Sequence, residues 1–159
     1  MVAREAQQLG LDIDTSDMGE IRTYTMVLGF LPPSKNVTNG WPHAWLDGAK
    51  KKWQRHVKAE CERLQVPHGL PKIGLHAQLV FDRNQRRDPQ NYAHHLWHWV
   101  PDALVRCGVI DDDREGMIDI GPNWGLEMML DTRPGISKAK RQRTLITIAA
   151  FVPELRYVE

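Results

Sequence analysis

The sequence predicts a single α+β domain in which a small mixed β-sheet packs against two α-helices. Two stretches carry apolar residues at the three-and-four spacing typical of amphipathic helices. Other stretches are rich in β-branched or alternating apolar residues, which is typical of strands. These stretches follow one another as strand, helix, strand, helix and then further strands, and 159 residues suffice for one domain with a substantial core.

The first half of the chain contains three predicted elements. Residues 23–30 are β-branched and apolar and run into Pro32-Pro33, which predicts a strand that ends there. Residues 46–64 have apolar side chains three and four positions apart, with lysines and arginines between them, which predicts a helix. Residues 73–81 alternate apolar and other residues, so we predict a half-buried strand that leads into an arginine-rich loop.

The second half is predicted to begin with a helix over residues 91–107. Pro101 lies inside it and is expected to kink or restart it, because proline cannot donate the backbone hydrogen bond to the preceding turn. Residues 117–120 and 125–130 have the composition of two strands joined by a turn, which predicts a hairpin. Residues 144–152 are predicted to form the last strand.

The charge distribution divides the chain unequally. Residues 1–20 hold five acidic residues and one basic residue, so they carry a net charge of −4, whereas the remainder carries +5. We therefore predict an acidic extension over residues 1–20 and the domain over residues 21–159. Two cysteines are too few for a disulfide framework, and no apolar run reaches membrane-spanning length. We expect a reduced, cytoplasmic setting, in a bacterium or a phage-infected host, with no membrane partner.

Two acidic points flank the second predicted helix. Asp88 ends the run Arg86-Arg87-Asp88, and Asp111-Asp112-Asp113 follow the helix. Clustered carboxylates repel each other unless a cation lies among them, and arginines beside a metal site favour a phosphate substrate. The pattern predicts a metal-dependent enzyme acting on nucleic acid, with both acids meeting at one edge of the sheet. The alternative is that Asp88 caps the helix and residues 111–113 form a solvated turn.

The same residues resemble the RusA-like Holliday junction resolvases, which are common in phages and prophages. That family has an arginine-rich loop ending in Asp-x-Asp-Asn, a helix containing Asp-Ala-Leu, an Ala-Gly-hydrophobic step and an Asp-Asp pair. It also opens with a strand running into Pro-Pro-Ser-x-Asn. The matching residues span about 24–151 and read Pro32-Pro33-Ser34-Lys35-Asn36, Arg86-Arg87-Asp88-Pro89-Gln90-Asn91, Asp102-Ala103-Leu104, Cys107-Gly108-Val109-Ile110 and Asp112-Asp113.

The resemblance implies a two-fold homodimer that cleaves Holliday junctions or other branched DNA by phosphodiester hydrolysis. It implies Mg²⁺ as cofactor, with Mn²⁺ as an alternative, held by the catalytic acids Asp88, Asp113 and Asp112. The chain departs from the family at Gln90, where the family has a second acid. It also departs early on the helix, where the family often has a lysine and this chain has His94, His95, Trp97 and His98. Asp111 or Asp102 could supply the missing charge.

Basic residues in three segments are predicted to contact DNA phosphates. They are Lys35, then Arg86 and Arg87, and the run before the last strand that contains Lys138, Lys140, Arg141 and Arg143. That run could instead be a solvated loop. Trp41 and Trp45 could stack on exposed bases, or pack in the core or in a dimer interface.

Two other functions stay open from the sequence. A protein that binds DNA junctions without cleaving them would be consistent with Gln90 in place of an acid. A zinc-binding hydrolase is the weaker alternative, because His94 and His98 lie four positions apart on one helix face, a spacing that can chelate zinc. Together with His95, these histidines could instead be partly buried, or could face the active site or DNA phosphate.

Overall fold

The computed structural model describes residues 19–153 and confirms the α+β fold class. The elements are a five-stranded mixed sheet and four helices, two of them long. The acidic extension predicted over residues 1–20 lies almost wholly outside the described residues, although the first strand already begins at Gly19. Within residues 19–153, no helix is long and apolar enough to cross a membrane.

The predicted strands and helices are all present, with ends shifted by a few residues. In chain order they are β1 (Gly19–Leu28), α1 (Lys35–Thr38), α2 (His43–Leu64), β2 (Ile73–Phe81), α3 (Pro89–Arg106), β3 (Ile118–Ile120), β4 (Leu126–Leu130), α4 (Lys138–Arg141) and β5 (Arg143–Pro153). A 3₁₀ turn at Asn123–Gly125 precedes β4. The basic run before the last strand is therefore a short helix rather than the predicted loop.

The sheet has the order β1-β5-β2, with β3 and β4 both paired to the outer edge of β2. β1 and β2 are antiparallel to β5, and β3 and β4 are parallel to β2. The predicted hairpin is therefore wrong, because β3 pairs with residues 73–75 of β2 and β4 with residues 77–81. α3 carries the chain back to the start of β2, so both following strands enter parallel to it.

The core lies between one face of the sheet and the two long helices. α2 buries Trp53, Val57 and Cys61 against the sheet, and α3 buries a longer stripe that includes Leu96 and Val100. β2 is more buried than the predicted half-buried strand, because it is central and has partners on both edges.

α3 runs without interruption through Pro101, which is buried, so the helix does not restart there. Its 18 residues give it a length of about 27 Å, at a rise of about 1.5 Å per residue. Its first residue follows the loop after β2, and its last residue precedes the turn that leads back to the start of β2. This helix therefore separates two ends of the molecule.

Candidate basic end and its acidic residues

Asp88 is the N-cap of α3. Its Oδ1 accepts a hydrogen bond from the backbone N–H of Gln90 at 3.1 Å, and Pro89 occupies the first helical position, where a missing N–H costs nothing. The capping role foreseen for Asp88 is therefore present. The side chain is nevertheless exposed, and the hydrogen bond occupies only one of its oxygens.

Arg87 holds the loop that leads to Asp88. Its Nη1 donates to the carbonyl oxygens of Arg83 at 2.9 Å and Gln85 at 3.1 Å, and its guanidinium lies 3.8 Å from the centroid of the Phe81 ring. Arg86, next to it, is exposed. The loop and α1 together line a groove of about 490 Å³, formed by Asn36, Arg86, Arg87, Asp88, Pro89 and Asn91.

A side-chain hydrogen bond joins α4 to the same loop. The Nε2 of Gln142, just after α4, donates to Oδ1 of the buried Asp82 at 2.7 Å. This bond lowers the pKa of the Asp82 carboxyl, and the charges of Lys138 and Arg83 act in the same direction. Lys138 is exposed beside this contact, so the basic run and the arginine-rich loop form one surface.

Asp131 fixes the end of β4 beside that surface. Its N–H donates to the carbonyl of Phe81 at 2.8 Å, and its buried carboxylate accepts from Arg133 at 2.7 and 2.8 Å and from Arg143 at 2.9 Å. These hydrogen bonds, first those from Arg133, hold the pKa of Asp131 well below its usual range. Arg143, predicted to contact DNA, is thus engaged within the chain.

The structure therefore brings together cations that are far apart in the sequence. We call this surface the basic end, and define it by Lys35, Arg86, Arg87, Lys138, Lys140 and Arg141. Lys35 is assigned to it by its place in α1, since the next residue, Asn36, lines the Asp88 groove and the charge of Lys35 acts on His94 and His95 near the start of α3. Among the residues that surround this end, Asp82 and Asp131 are bound by Gln142 and by arginines, whereas Asp88 is exposed.

The other two predicted metal ligands lie elsewhere. Asp112 and Asp113 follow the far end of α3. Both flanks of their turn are tied to the start of β2 and the segment before it, by Leu70 N–H to Val109 O at 2.8 Å and Ile73 N–H to Met117 O at 2.9 Å. About 27 Å of helix separates this turn from Asp88. The expectation that these acids meet at one edge of the sheet is therefore wrong for a single chain.

Within their turn, the acids contact each other and one arginine. Asp112 Oδ1 accepts the backbone N–H of Asp113 at 2.8 Å, and Arg114 Nε lies 3.8 Å from Asp112 Oδ2. All three acids, Asp111 included, are exposed.

The donor set for Mg²⁺ is therefore divided between the two ends of the chain. No group of three or more His, Cys, Asp or Glu side chains within residues 19–153 is arranged to hold a metal ion. Asp102 cannot complete the set, because its carboxylate is bound by Gln54 at 2.7 Å and Lys50 at 3.3 Å. Burial acts to raise the pKa of Asp102, but hydrogen bonds from Lys50 and Gln54 lower it overall. Within residues 19–153, one chain thus offers a metal ion one available carboxylate at the basic end, that of Asp88.

The helix histidines divide between the core and the surface. His95 is buried, its Nε2 lies 2.7 Å from Thr38 Oγ1, and its ring stacks on Trp99, so it fastens α1 to α3. His94 and His98 are exposed, with ring centroids 5.0 Å apart. Burial lowers the pKa of His94 and of His95, and the neighbouring histidines and Lys35 lower both further.

The tryptophan pair lies on the surface near α1. Trp41 and Trp45 meet edge to face with centroids 6.3 Å apart, and the Trp45 side chain is 64% exposed. Core packing is therefore wrong for Trp45, while base stacking and packing in a dimer interface stay predictions.

Asp82 and Asp131 are the acids at the basic end that the sequence did not indicate. Each follows the last residue of a strand, β2 and β4 respectively. Recognising them requires knowing that the two strands are parallel neighbours, since only then do their carboxyl ends meet at one edge.

Comparison with protein-family models and with curated proteins finds no match for this chain. The resemblance to the resolvases therefore rests on the residue motifs, and the candidate function on the geometry of the basic end.

Proposed function

We propose that this protein is a Mg²⁺-dependent endonuclease that cleaves branched DNA, such as Holliday junctions, as a two-fold homodimer. The observation that carries the proposal is the basic end, where the exposed carboxylate of Asp88 shares a groove with Arg86 and Arg87, and Gln142 ties the basic run of α4 to the same loop. Such cations bind the phosphodiester backbone. A carboxylate among them is suited to hold a divalent ion, which supplies an activated water for hydrolysis.

The second carboxylate of the site would come from another copy of the chain. Asp113 lies about 27 Å of helix away from Asp88 in the same chain, so it cannot share an ion with it. In a two-fold dimer, Asp88 would face the partner's Asp113, and the symmetry would repeat the arrangement. Two such sites match the two strands that must be cut to resolve a four-way junction.

The outer edge of the sheet is the surface that suits this dimer. β3 and β4 lie end to end along β2, with the Asp113 turn before β3 and the Asp88 loop beyond β4. β4 exposes Met129 at 40% and Leu130 at 49% and has no strand on its outer side within the described residues. Antiparallel pairing of this edge with its copy would bring opposite ends of the two chains together.

The side chains of this chain then have separate tasks in the proposed site. Asp88 and Asp113 would hold the ion, and Asp112 would orient Asp113 through its backbone hydrogen bond. Arg86, Lys138 and Lys140 are exposed and would bind phosphates on either side of the scissile bond. Arg87 would keep the loop in place through its contacts with Arg83, Gln85 and Phe81.

A synthetic four-way junction incubated with Mg²⁺ tests the proposal. The wild-type protein should produce paired, symmetric nicks. Asp88→Asn and Asp113→Asn should each abolish nicking while leaving junction binding largely intact, because each removes a charged metal ligand without removing a cation. Asp102→Asn is the control, since Asp102 is bound by Lys50 and Gln54 and should be dispensable for nicking. Wild-type rates in either test variant would contradict the site.

Junction binding without cleavage is the second candidate function. It is favoured by Gln90, which is exposed beside Asp88 and brings no negative charge to a cation. A gel shift of the junction with no nicks in either Mg²⁺ or Mn²⁺ would identify it. The zinc-binding hydrolase would be supported by three results: no gel shift of the junction, no nicks, and zinc binding that is lost in His94→Ala.

A further inference from the structure

A second basic surface lies between α2 and α3, away from the basic end. Lys51, Arg55 and Lys58 recur at four and three positions along one face of α2, and Arg106 stands across from them at the end of α3. They line a groove of about 400 Å³ with Gln54, Ala103 and Cys107, and no acidic side chain of residues 19–153 lines it.

The cations of this groove differ in how they are paired. Lys51 binds Asp47 at 2.9 Å, and Arg106 lies 3.4 Å from Asp102. Arg55 and Lys58 are exposed and make no ion pair with any residue in the described part of the chain. Among residues 19–153, the groove therefore presents to a ligand two cations that have no ion-pair partner.

We propose that this groove binds the phosphodiester backbone of a duplex DNA arm. The proposal rests on the proposed function only in taking DNA as the ligand. Residues 51 to 58 span about 10 Å along the helix axis, which covers about three phosphate steps of one strand at about 3.4 Å each. Cationic side chains without a carboxylate in the lining that residues 19–153 provide suit a phosphate chain rather than a metal ion.

α3 connects this groove with the proposed active site. Asp88 caps its first turn and Arg106 is its last residue, so the two lie about 27 Å apart, about eight base pairs of duplex. A junction arm that leaves the basic end along α3 is therefore long enough to reach the groove. Such a contact would hold the arm in a fixed direction relative to the scissile phosphate.

Salt-dependent binding of a four-way junction tests the proposal. Arg55→Ala with Lys58→Ala should lower the slope of log K against log salt by about 1.8 and weaken binding at 0.1 M salt by at least about tenfold, since each lost phosphate contact removes about 0.9. The matched control is Lys52→Ala with Arg63→Ala, on the same helix. These cations are already engaged, with the Phe30 ring at 4.3 Å and with Glu60 at 2.7 Å.

The control pair should leave the slope unchanged. An unchanged slope in the groove pair would show that Arg55 and Lys58 contact no phosphate. An equal loss in both pairs would show that binding depends on the general charge of the helix. Either result would overturn the proposal.

Cys107 provides a direct readout of occupancy. Its thiol lines the groove and is half-buried, whereas Cys61 is buried. A saturating duplex of about 20 base pairs should slow alkylation of Cys107 by N-ethylmaleimide severalfold in the wild-type protein but not in the groove pair. An unchanged rate at saturation would show that DNA does not enter the groove.

Nicking of the junction in Mg²⁺ is measured separately on the same proteins. Absence of nicks in the wild-type protein would refute the proposed function. The salt slopes and the alkylation rates would still show whether DNA binds in the groove.

Discussion

Among the single residues at the basic end, three carboxylates have different environments. Asp82 and Asp131 are buried and bound by Gln142, Arg133 and Arg143. Asp88 is exposed and gives one oxygen to its own helix. Two of these acids therefore stabilise the ends of β2 and β4, and only the third is available to a metal ion.

Asp131→Asn should destabilise the fold at neutral pH, because it removes the charge that Arg133 and Arg143 share. The folded pKa of Asp131 is lowered from an ordinary value of 3.8, so its contribution is present above that value and is lost as the pH falls toward the folded pKa. We expect the melting temperature to fall by several degrees at pH 7, and the difference from wild type to narrow below pH 3.8. Thermal unfolding at a series of pH values measures both effects.

Asp47→Asn is the control for this prediction. Asp47 also has a lowered pKa, through its hydrogen bond from Lys51, but it lies on the surface, where ion pairs contribute little to stability. The melting temperature of the Asp47→Asn variant should match that of the wild-type protein. If Asp131→Asn is as stable as the wild-type protein at pH 7, Arg133 and Arg143 find other partners.

At the scale of the secondary-structure elements, local sequence patterns predicted which segments form helices and strands, but not how the strands pair. The apolar spacing of residues 46–64 and 91–107 and the alternation of residues 73–81 indicated elements that are present. The hairpin prediction failed because a two-residue period shows that a strand has two faces but not which strand it pairs with. The parallel partner of β3 and β4 is β2, whose paired residues lie 45 and 49 positions earlier in the chain (Ile73 with Ile118, Ala77 with Leu126).

The length of α3 also decides whether Asp88 and Asp113 can meet in one chain. A helix over residues 91–107, as predicted, already spans about 25 Å, which is inconsistent with Asp88 and Asp113 meeting in one chain. The metal-binding role of these acids was inferred from the resemblance, and their separation follows only when the length of the predicted helix is taken into account. The site prediction and the helix prediction conflicted, and the structure agrees with the helix.

Gly125 controls how β4 enters the sheet. It has a φ of +66°, and a Cβ there would lie 2.5 Å from Cγ2 of Ile120 and 3.2 Å from Trp97. Gly125→Ala should therefore destabilise the protein by about 2 kcal/mol or more, from the left-handed backbone and from overpacking. Urea denaturation measures the change in the free energy of unfolding.

Gly48→Ala is the matched control, with the opposite sign expected. Gly48 lies inside α2, is exposed, and a Cβ there would meet nothing within 4 Å. Alanine should stabilise the helix by about 0.5 to 1 kcal/mol, because it loses less backbone entropy on folding. A loss of only about 1 kcal/mol in Gly125→Ala would show that the contact with Ile120 is readily relieved and that the left-handed backbone alone carries the cost.

At the scale of the whole molecule, tertiary contacts assemble the basic end from segments that no local pattern connects. Gln142 binds Asp82 across 60 positions of sequence, and Asn36 lines the Asp88 groove from α1. The sequence indicated each basic segment separately, but their union depends on strand order. That order leaves Asp113 at the opposite end, so the proposed metal site requires two chains.

Mixing two inactive variants tests that requirement. If each site combines Asp88 of one chain with the partner's Asp113, a dimer of one Asp88→Asn chain and one Asp113→Asn chain has one intact site and one site lacking both acids. Random exchange makes half of the dimers mixed, so total nicking should recover to about a quarter of the wild-type level. The products should be single nicks rather than paired cuts, because only one strand faces an intact site.

A plasmid bearing a cruciform distinguishes these products, since a single nick gives open circles and paired cuts give linear DNA. The control mixes Asp88→Asn with a chain carrying both substitutions, which leaves no intact site in any dimer and should restore nothing. Mixed dimers are verified by co-purification through a tag on one chain. Verified mixed dimers without recovered nicking would show that the two acids do not act across a dimer, and since about 27 Å of helix keeps them apart in one chain, Asp113 would then have no place in the metal site.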